Sequence, residues 1–209
     1  MAACVVEIAA AACCGLFAGA LGARLLGPAA PRWWCEIGCV FGFAPLPALG
    51  SVFPSGPSGG PSGVPGAVAG AVVVWWLVCL AVADLSVRRL PDVLTCPGAW
   101  GFLAAAAVVG RGGDALAGAL CFAGAYFVIH LVSPRSMGAG DVKLAFGLGA
   151  LCAIASPAAV LLVALLSSLI SALFAVLLLL WRQRSPPGTV AHGASMCFAA
   201  YTVLALAWA

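Results

Sequence analysis

Charged side chains are what this sequence has least of. Asp, Glu, Lys and Arg together make up 7% of the 209 residues, against 65% hydrophobic ones, and the mean hydropathy is +1.19. So little charge excludes a soluble domain, because the apolar stretches are too long and too numerous for one aqueous core. The expectation is an all-α, polytopic bundle of helices solvated by membrane lipid. Nine basic against six acidic side chains leave a net charge of +3, which carries no nucleic-acid signal. A basic stretch ahead of the first apolar run is also missing: Arg24 and Arg32 follow residues 1 to 22. This argues against a cleaved signal peptide and for a retained helix whose N-terminus is outside. A complete metal-ligand pattern is missing too. Cys35 and Cys39 in "CEIGC" have the spacing of two ligands, but no second Cys or His pair follows to complete a four-ligand zinc site. No metal and no cofactor are expected. Cys4, Cys13, Cys14, Cys79, Cys121, Cys152 and Cys197 lie within apolar runs and read as small packing residues.

What the sequence does have is long apolar runs. Clear spans lie near residues 3 to 22, 67 to 85, 93 to 110, 115 to 133, 157 to 181 and 190 to 209. Two weaker ones are 36 to 53, interrupted by Gly and Pro, and the short 142 to 156. Counting both gives eight crossings of a single membrane domain, residues 1 to 209. With the N-terminus outside, this count places Arg24, Arg32, Arg88, Arg89, Arg135, Lys143, Arg182 and Arg184 on the cytoplasmic side and only Arg111 outside. Omitting the 36 to 53 span inverts the later helices and puts most of these cations outside. "PSGPSGGPSGVPG", residues 54 to 66, cannot pack a core and reads as a flexible outer loop. Gly15 and Gly19 have the spacing that lets membrane helices approach closely.

An acid in or beside a membrane span is costly unless compensated, which makes each of the six a functional candidate. Glu7 falls inside the first span, where it is protonated, paired between helices or hydrated near the outer surface. Glu36 and Asp114 fall at helix ends, where an interfacial charge or the helix dipole accounts for them. Asp84, in "LAVADLSVRRLPD", falls at the cytoplasmic end of the 67 to 85 helix, ahead of Arg88, Arg89 and the helix-stopping Pro91. An i to i+4 ion pair with Arg88 is its structural explanation. Asp141, in "MGAGDVKLAFGLG", reaches the same face from the following hairpin, with Gly138 and Gly140 allowing positive φ and a close backbone approach.

Two carboxyls brought together share a proton, so that one can activate water while the other protonates an amide or stabilises a tetrahedral intermediate. That suits peptide hydrolysis. Helix polarity assigns the roles: Asp84 at a helix C-terminus favours the protonated form, and Asp141 at a helix start favours ionisation, which makes Asp141 the base and Asp84 the acid. Arg88, Arg89 and Lys143 are the nearby cations that can compensate either acid.

At these residues the sequence resembles the type IV prepilin peptidase family of aspartic membrane proteases. "DLSVRRLPDVLTCPG" is similar to the family's first-aspartate segment and "GAGDVKL" to its Gly-x-Gly-Asp segment. The resemblance is strongest over residues 67 to 150, the expected peptidase core, and extends more faintly to "GLFAGALGARLLGPAAPR", to "CE" at 35 and 36, and to "VAHGASMCFAA". It implies a multi-pass bacterial inner-membrane endopeptidase that removes the basic leader of prepilin or pseudopilin substrates at the cytoplasmic face, with Asp84 and Asp141 catalytic. Asp92 competes with Asp84 but follows the proline and is expected to shape the loop. Two departures stand out. Ala191 and Ala194 occupy positions where the family commonly has prolines, and the Cys-x-x-Cys cytoplasmic domain does not fit between Arg24 and Cys35. Peptidase activity is therefore the expectation, with no methyltransferase activity assigned. The rival readings are an ion- or proton-coupled transporter and a non-catalytic assembly subunit that kept the fold.

Overall fold

The computed structural model describes residues 18–24, 35–39, 64–134, 137–181 and 191–208. Glu7, Gly15, Arg32, Arg135, Arg182 and Arg184, residues 54 to 63 of the Gly/Pro/Ser tract, and most of the expected spans at 3 to 22 and 36 to 53 lie outside the described residues. The eight-crossing count therefore rests in part on residues beyond this description. Within it the chain is helical. After helical segments at 18–24 and 35–39 come six helices: α1 (Val64–Val87), α2 (Asp92–Val108), α3 (Gly112–Val132), α4 (Ala139–Ala155), α5 (Pro157–Trp181) and α6 (His192–Trp208).

The expected spans from residue 67 onward all coincide with helices. One boundary is corrected: α1 begins at Val64, inside the tract expected to be loop, with Pro65 in its first turn where no intrahelical N–H is required. The apolar run from 142 to 181 is cut in two by Ser156. Its Oγ accepts the N–H of Ala159 at 3.1 Å, and Pro157 opens α5 immediately after it. An N-capping serine followed by proline starts a new helix instead of extending the old one.

Among the described residues three helical stretches are long and apolar enough to cross a membrane: Ala69–Val87, Gly112–Val132 and Pro157–Leu180. α4, the weak run of the sequence, is an unbroken 17-residue helix and the most enclosed of the six, with Leu144, Ala145, Leu148, Ala150 and Cys152 fully buried. It packs against α2, α3, α5 and α6. Surrounded by protein, it does not have to match the lipid thickness by itself. Its glycines permit the approach: a Cβ on Gly149 would lie 2.4 Å from the carbonyl oxygen of Gly118 on α3. α5 instead turns Leu161, Leu162, Leu165 and Leu169 outward, as a lipid-facing helix should.

Around α1, Trp75 donates its indole N–H to the Ala18 carbonyl at 2.8 Å, and Trp76 donates to the Leu94 carbonyl of α2 at 2.7 Å. Gly19 closes on the backbone of Glu36, where an added Cβ would lie 2.5 Å from Cα. Cys35, Cys39 and Cys79 are buried and free in this region. Cys121, expected to be a packing residue, is exposed on α3.

The bundle has two distinct ends. At one, Lys143 of α4 meets Asp92 of α2 at 2.7 Å, and His130 near the end of α3 hydrogen-bonds the Met137 carbonyl at 2.8 Å. At the other, Arg111 pairs with Asp114 at 3.2 Å and its guanidinium caps the Ile154 carbonyl near the end of α4. Arg88, Arg89 and Lys143 thus share one end and Arg111 occupies the opposite one.

Candidate active site

Asp84 lies one turn inside the C-terminus of α1 and is 7% exposed. The helix ends beyond it at Arg88, whose φ of +53° puts a non-glycine residue in the left-handed region and turns the chain out of the helix. Pro91 then caps α2, its carbonyl accepting the N–H of Leu94 at 3.0 Å and of Thr95 at 3.1 Å. This tight turn sends Asp92 to the surface, where it faces Lys143. Asp84 points inward, so the two acids that compete in the sequence are separated in space.

Asp141 is the third residue of α4. Its Oδ2 reaches back over the first turn to accept the Gly138 N–H at 3.2 Å, which fixes the carboxyl at the helix start. The glycines act differently from expectation. Gly138 has φ −75°, and among the described residues Gly110 alone of the glycines has a positive φ. Gly138 supplies an N–H, and Gly140 supplies room: a Cβ there would stand 3.3 Å from Cβ of Leu90 in the α1–α2 turn. The close approach is present, and the left-handed backbone is not.

The third wall of the site comes from α6, outside the 67 to 150 stretch. The N–H of Ala194, in the first turn of α6, donates to Asp84 Oδ2 at 2.8 Å. Beside it, a Cβ placed on Gly193 would lie 3.0 Å from Asp84 Oδ2 and 3.4 Å from Asp141 Oδ1. The two carboxyls therefore converge on a single point above Gly193, and their oxygens are no farther apart than those two distances added together. The absence of a side chain at residue 193 keeps a methyl group out of the cleft between the two carboxyls.

This arrangement removes the polarity that distinguishes the acids in the sequence. Asp84 ends one helix but its carboxyl faces the N-terminus of another, and Asp141 faces the N-terminus of its own. Both acids meet donors at a helix start, so helix dipoles give no reason to assign the proton to Asp84.

The sequence reading passes over Gly193, His192 and Tyr126. His192, the first residue of α6, stacks on Tyr126 with ring centroids 5.5 Å apart and planes at 28°. Its Nε2 is 3.1 Å from the Tyr126 hydroxyl, and its Nδ1 is 2.6 Å from Oγ of Ser171. The signal that could have found it is the one applied to the acids: an ionisable side chain in an apolar span is a functional candidate, and imidazole is no exception. Gly193 has no such signal in an Ala/Gly-rich chain.

An apolar groove of about 240 Å³ opens beside the acids, between Leu77, Val78 and Ala81 of α1 and Ala194, Cys197 and Phe198 of α6. Ala194 belongs to both the groove and the hydrogen bond to Asp84.

Comparison with known proteins agrees with the geometry. Residues 71–176, just over half the chain, match the model of the type IV leader peptidase family. A prepilin leader peptidase/N-methyltransferase of Aeromonas salmonicida is 34% identical over 148 residues, which is 66% of this chain and 48% of that protein. One from Aeromonas hydrophila is 33% identical over 148 residues. The chain thus spans about half the length of these curated relatives. No solved structure matches. Helices carrying two acids to one end of a membrane bundle, and a family match that covers both, establish that this chain belongs to the type IV leader peptidase family.

Proposed function

We propose that this protein is a membrane aspartic endopeptidase that removes the basic leader of prepilin-like or pseudopilin substrates at the cytoplasmic face of the bacterial inner membrane. Asp84 and Asp141 are its catalytic pair. The observation that carries the reading is their convergence above Gly193. Two carboxyls in such a cleft hold one proton between them. The ionised member takes a proton from water as the water oxygen bonds to the scissile carbonyl carbon, and the protonated member supports the developing oxyanion. Collapse of the tetrahedral intermediate breaks the C–N bond as a carboxyl delivers its proton to the leaving nitrogen. Water is consumed and the pair returns to its starting charge.

The apolar groove between α1 and α6 suits the hydrophobic segment that follows a leader, and Arg88, Arg89 and Lys143 lie at the same end of the bundle as the pair. The position of the acids near helix termini at one end favours proteolysis at a membrane face over ion transport, whose sites lie near the midplane. Asp84→Asn and Asp141→Asn each lower leader removal by about 100- to 10,000-fold, the range of one acid–base group. Co-expression with a candidate prepilin in membranes, followed by mass spectrometry of the pilin N-terminus, measures this. Leader removal that survives both substitutions overturns the mechanism.

A further inference from the structure

The start of α6 is tied down by a chain of polar side chains hydrogen-bonded to one another and, among the described bonds, to neither acid. Ser195 donates its hydroxyl proton to the His192 carbonyl at 2.7 Å, and its Oγ is also 2.6 Å from Oγ of Ser171. Ser195 has only that one proton, so Ser171 donates to Ser195 and accepts at 2.6 Å from Nδ1 of His192. The neutral ring then accepts at Nε2 from the Tyr126 hydroxyl, 3.1 Å away, and Tyr126, its one proton spent, accepts at 3.1 Å from Oγ of Ser167, whose alternative acceptor is the Ala164 carbonyl. Side chains of α3 (Tyr126), α5 (Ser167 and Ser171) and α6 (His192 and Ser195) are thereby joined through one imidazole. The ring is hydrogen-bonded at both nitrogens and stacked on one face, which leaves it no free rotation.

Such a network has a cost, since every buried member must be satisfied. An apolar side chain at 192 would complete the bundle with less polar burial, so packing alone gives no reason for a histidine. What lies next to it does. Gly193 and Ala194 follow directly in the first helical turn and carry the surface that faces Asp84 and Asp141. A turn without side-chain contacts of its own at 193 has to be located by its neighbours.

We propose that His192 is a positioning residue. Through Ser171 and Tyr126 it fixes the height and rotation of the α6 N-terminus, so that the Ala194 N–H meets Asp84 Oδ2 and Gly193 leaves the cleft open. It does not touch the reacting atoms. This inference rests on the peptidase reading for its kinetic consequences, but its effect on Asp84 does not depend on any substrate.

The test compares His192→Phe, which keeps the ring stack and loses both hydrogen bonds, with His192→Asn, which restores a donor near the Nδ1 position, and with Ser171→Ala. Two readouts are taken on the full chain in lipid. One is the infrared band of the Asp84 carboxyl, identified by its loss in Asp84→Asn. The other is kcat and KM for cleavage of a synthetic leader-containing peptide. His192→Phe and Ser171→Ala are expected to shift the Asp84 band and lower kcat at least about ten-fold with little change in KM, and His192→Asn to recover part of both. An unshifted band in both His192→Phe and Ser171→Ala overturns the proposal, as does a loss confined to KM or a His192→Asn variant no better than His192→Phe. Wild-type protein that fails to cleave the peptide while its Asp84 band still responds to His192 speaks against the peptidase reading alone. If His192→Phe fails to fold, Ser171→Ala carries the same comparison.

Discussion

Gly193 shows how much a single absent methyl group can decide. Alanine is the better helix former, so substitution should leave α6 intact or strengthen it slightly. The added methyl would nevertheless stand 3.0 Å from one carboxylate oxygen and 3.4 Å from the other, and the Asp84 carboxyl would have to turn away from the Ala194 N–H. Displacement of a catalytic group by a fraction of an ångström to an ångström costs up to about 100-fold in rate. Gly193→Ala is expected to lose between about ten- and 100-fold in kcat with an unchanged thermal midpoint, as measured by peptide cleavage and circular dichroism on the same preparation. Wild-type kcat in that variant would mean that the cleft is not where the chemistry takes place. The acids were legible in the sequence because charge is so scarce that each one demands a reason. The sequence favours Asp84 over Asp92 because Asp92 follows Pro91, and the turn at Arg88 separates the two acids in space. Gly193 was illegible for the opposite reason: the chain has 26 glycines, and nothing in "HGAS" says which of them faces a carboxylate on a helix so distant in the sequence.

At the scale of elements, hydrophobic length recovered α1 to α3, α5 and α6 with small boundary changes. It undervalued α4, because a helix enclosed by protein is chosen for its small side chains as much as for its hydropathy. Close packing of α3 on α4 makes a prediction with an internal control. Gly149→Ala would put a methyl 2.4 Å from the Gly118 carbonyl and 2.9 Å from Cα of Ala119, contacts with backbone that cannot swing aside. Overpacking of this kind costs about 1–3 kcal/mol, more than the roughly 0.5–1 kcal/mol that alanine gains over glycine within a helix. Gly124, also in α3, has nothing within 4 Å of its would-be Cβ, so Gly124→Ala should keep only the helical gain. Thermal unfolding in detergent should therefore show Gly149→Ala below wild type and Gly124→Ala at or above it. The reverse order would show that α3 and α4 are not in this close contact.

At the scale of the whole molecule, the few charges bear on the proposed orientation. Arg88 and Arg89 follow α1, and Lys143 stands beside Asp92, all at the end of the bundle that carries Asp84 and Asp141. Arg111 is the exception at the far end, and the structure gives it a local reason to be there. Asp114 offsets its charge at 3.2 Å, and its guanidinium covers a carbonyl near the end of α4 that would otherwise face lipid or water unpaired. Arg88, Arg89 and Lys143 at the end of the acidic pair, against Arg111 at the other, support the proposed placement of that pair toward the cytoplasm. A phosphatase that becomes active only outside the cytoplasm should be silent when fused after Arg89 and active when fused after Gly110, the glycine with φ +77° in the α2–α3 turn. Activity after Arg89 and silence after Gly110 would invert the bundle and place the carboxyl pair on the face from which a cytoplasmic leader could not reach it. In that case the proposed substrate, rather than the dyad, would have to be given up.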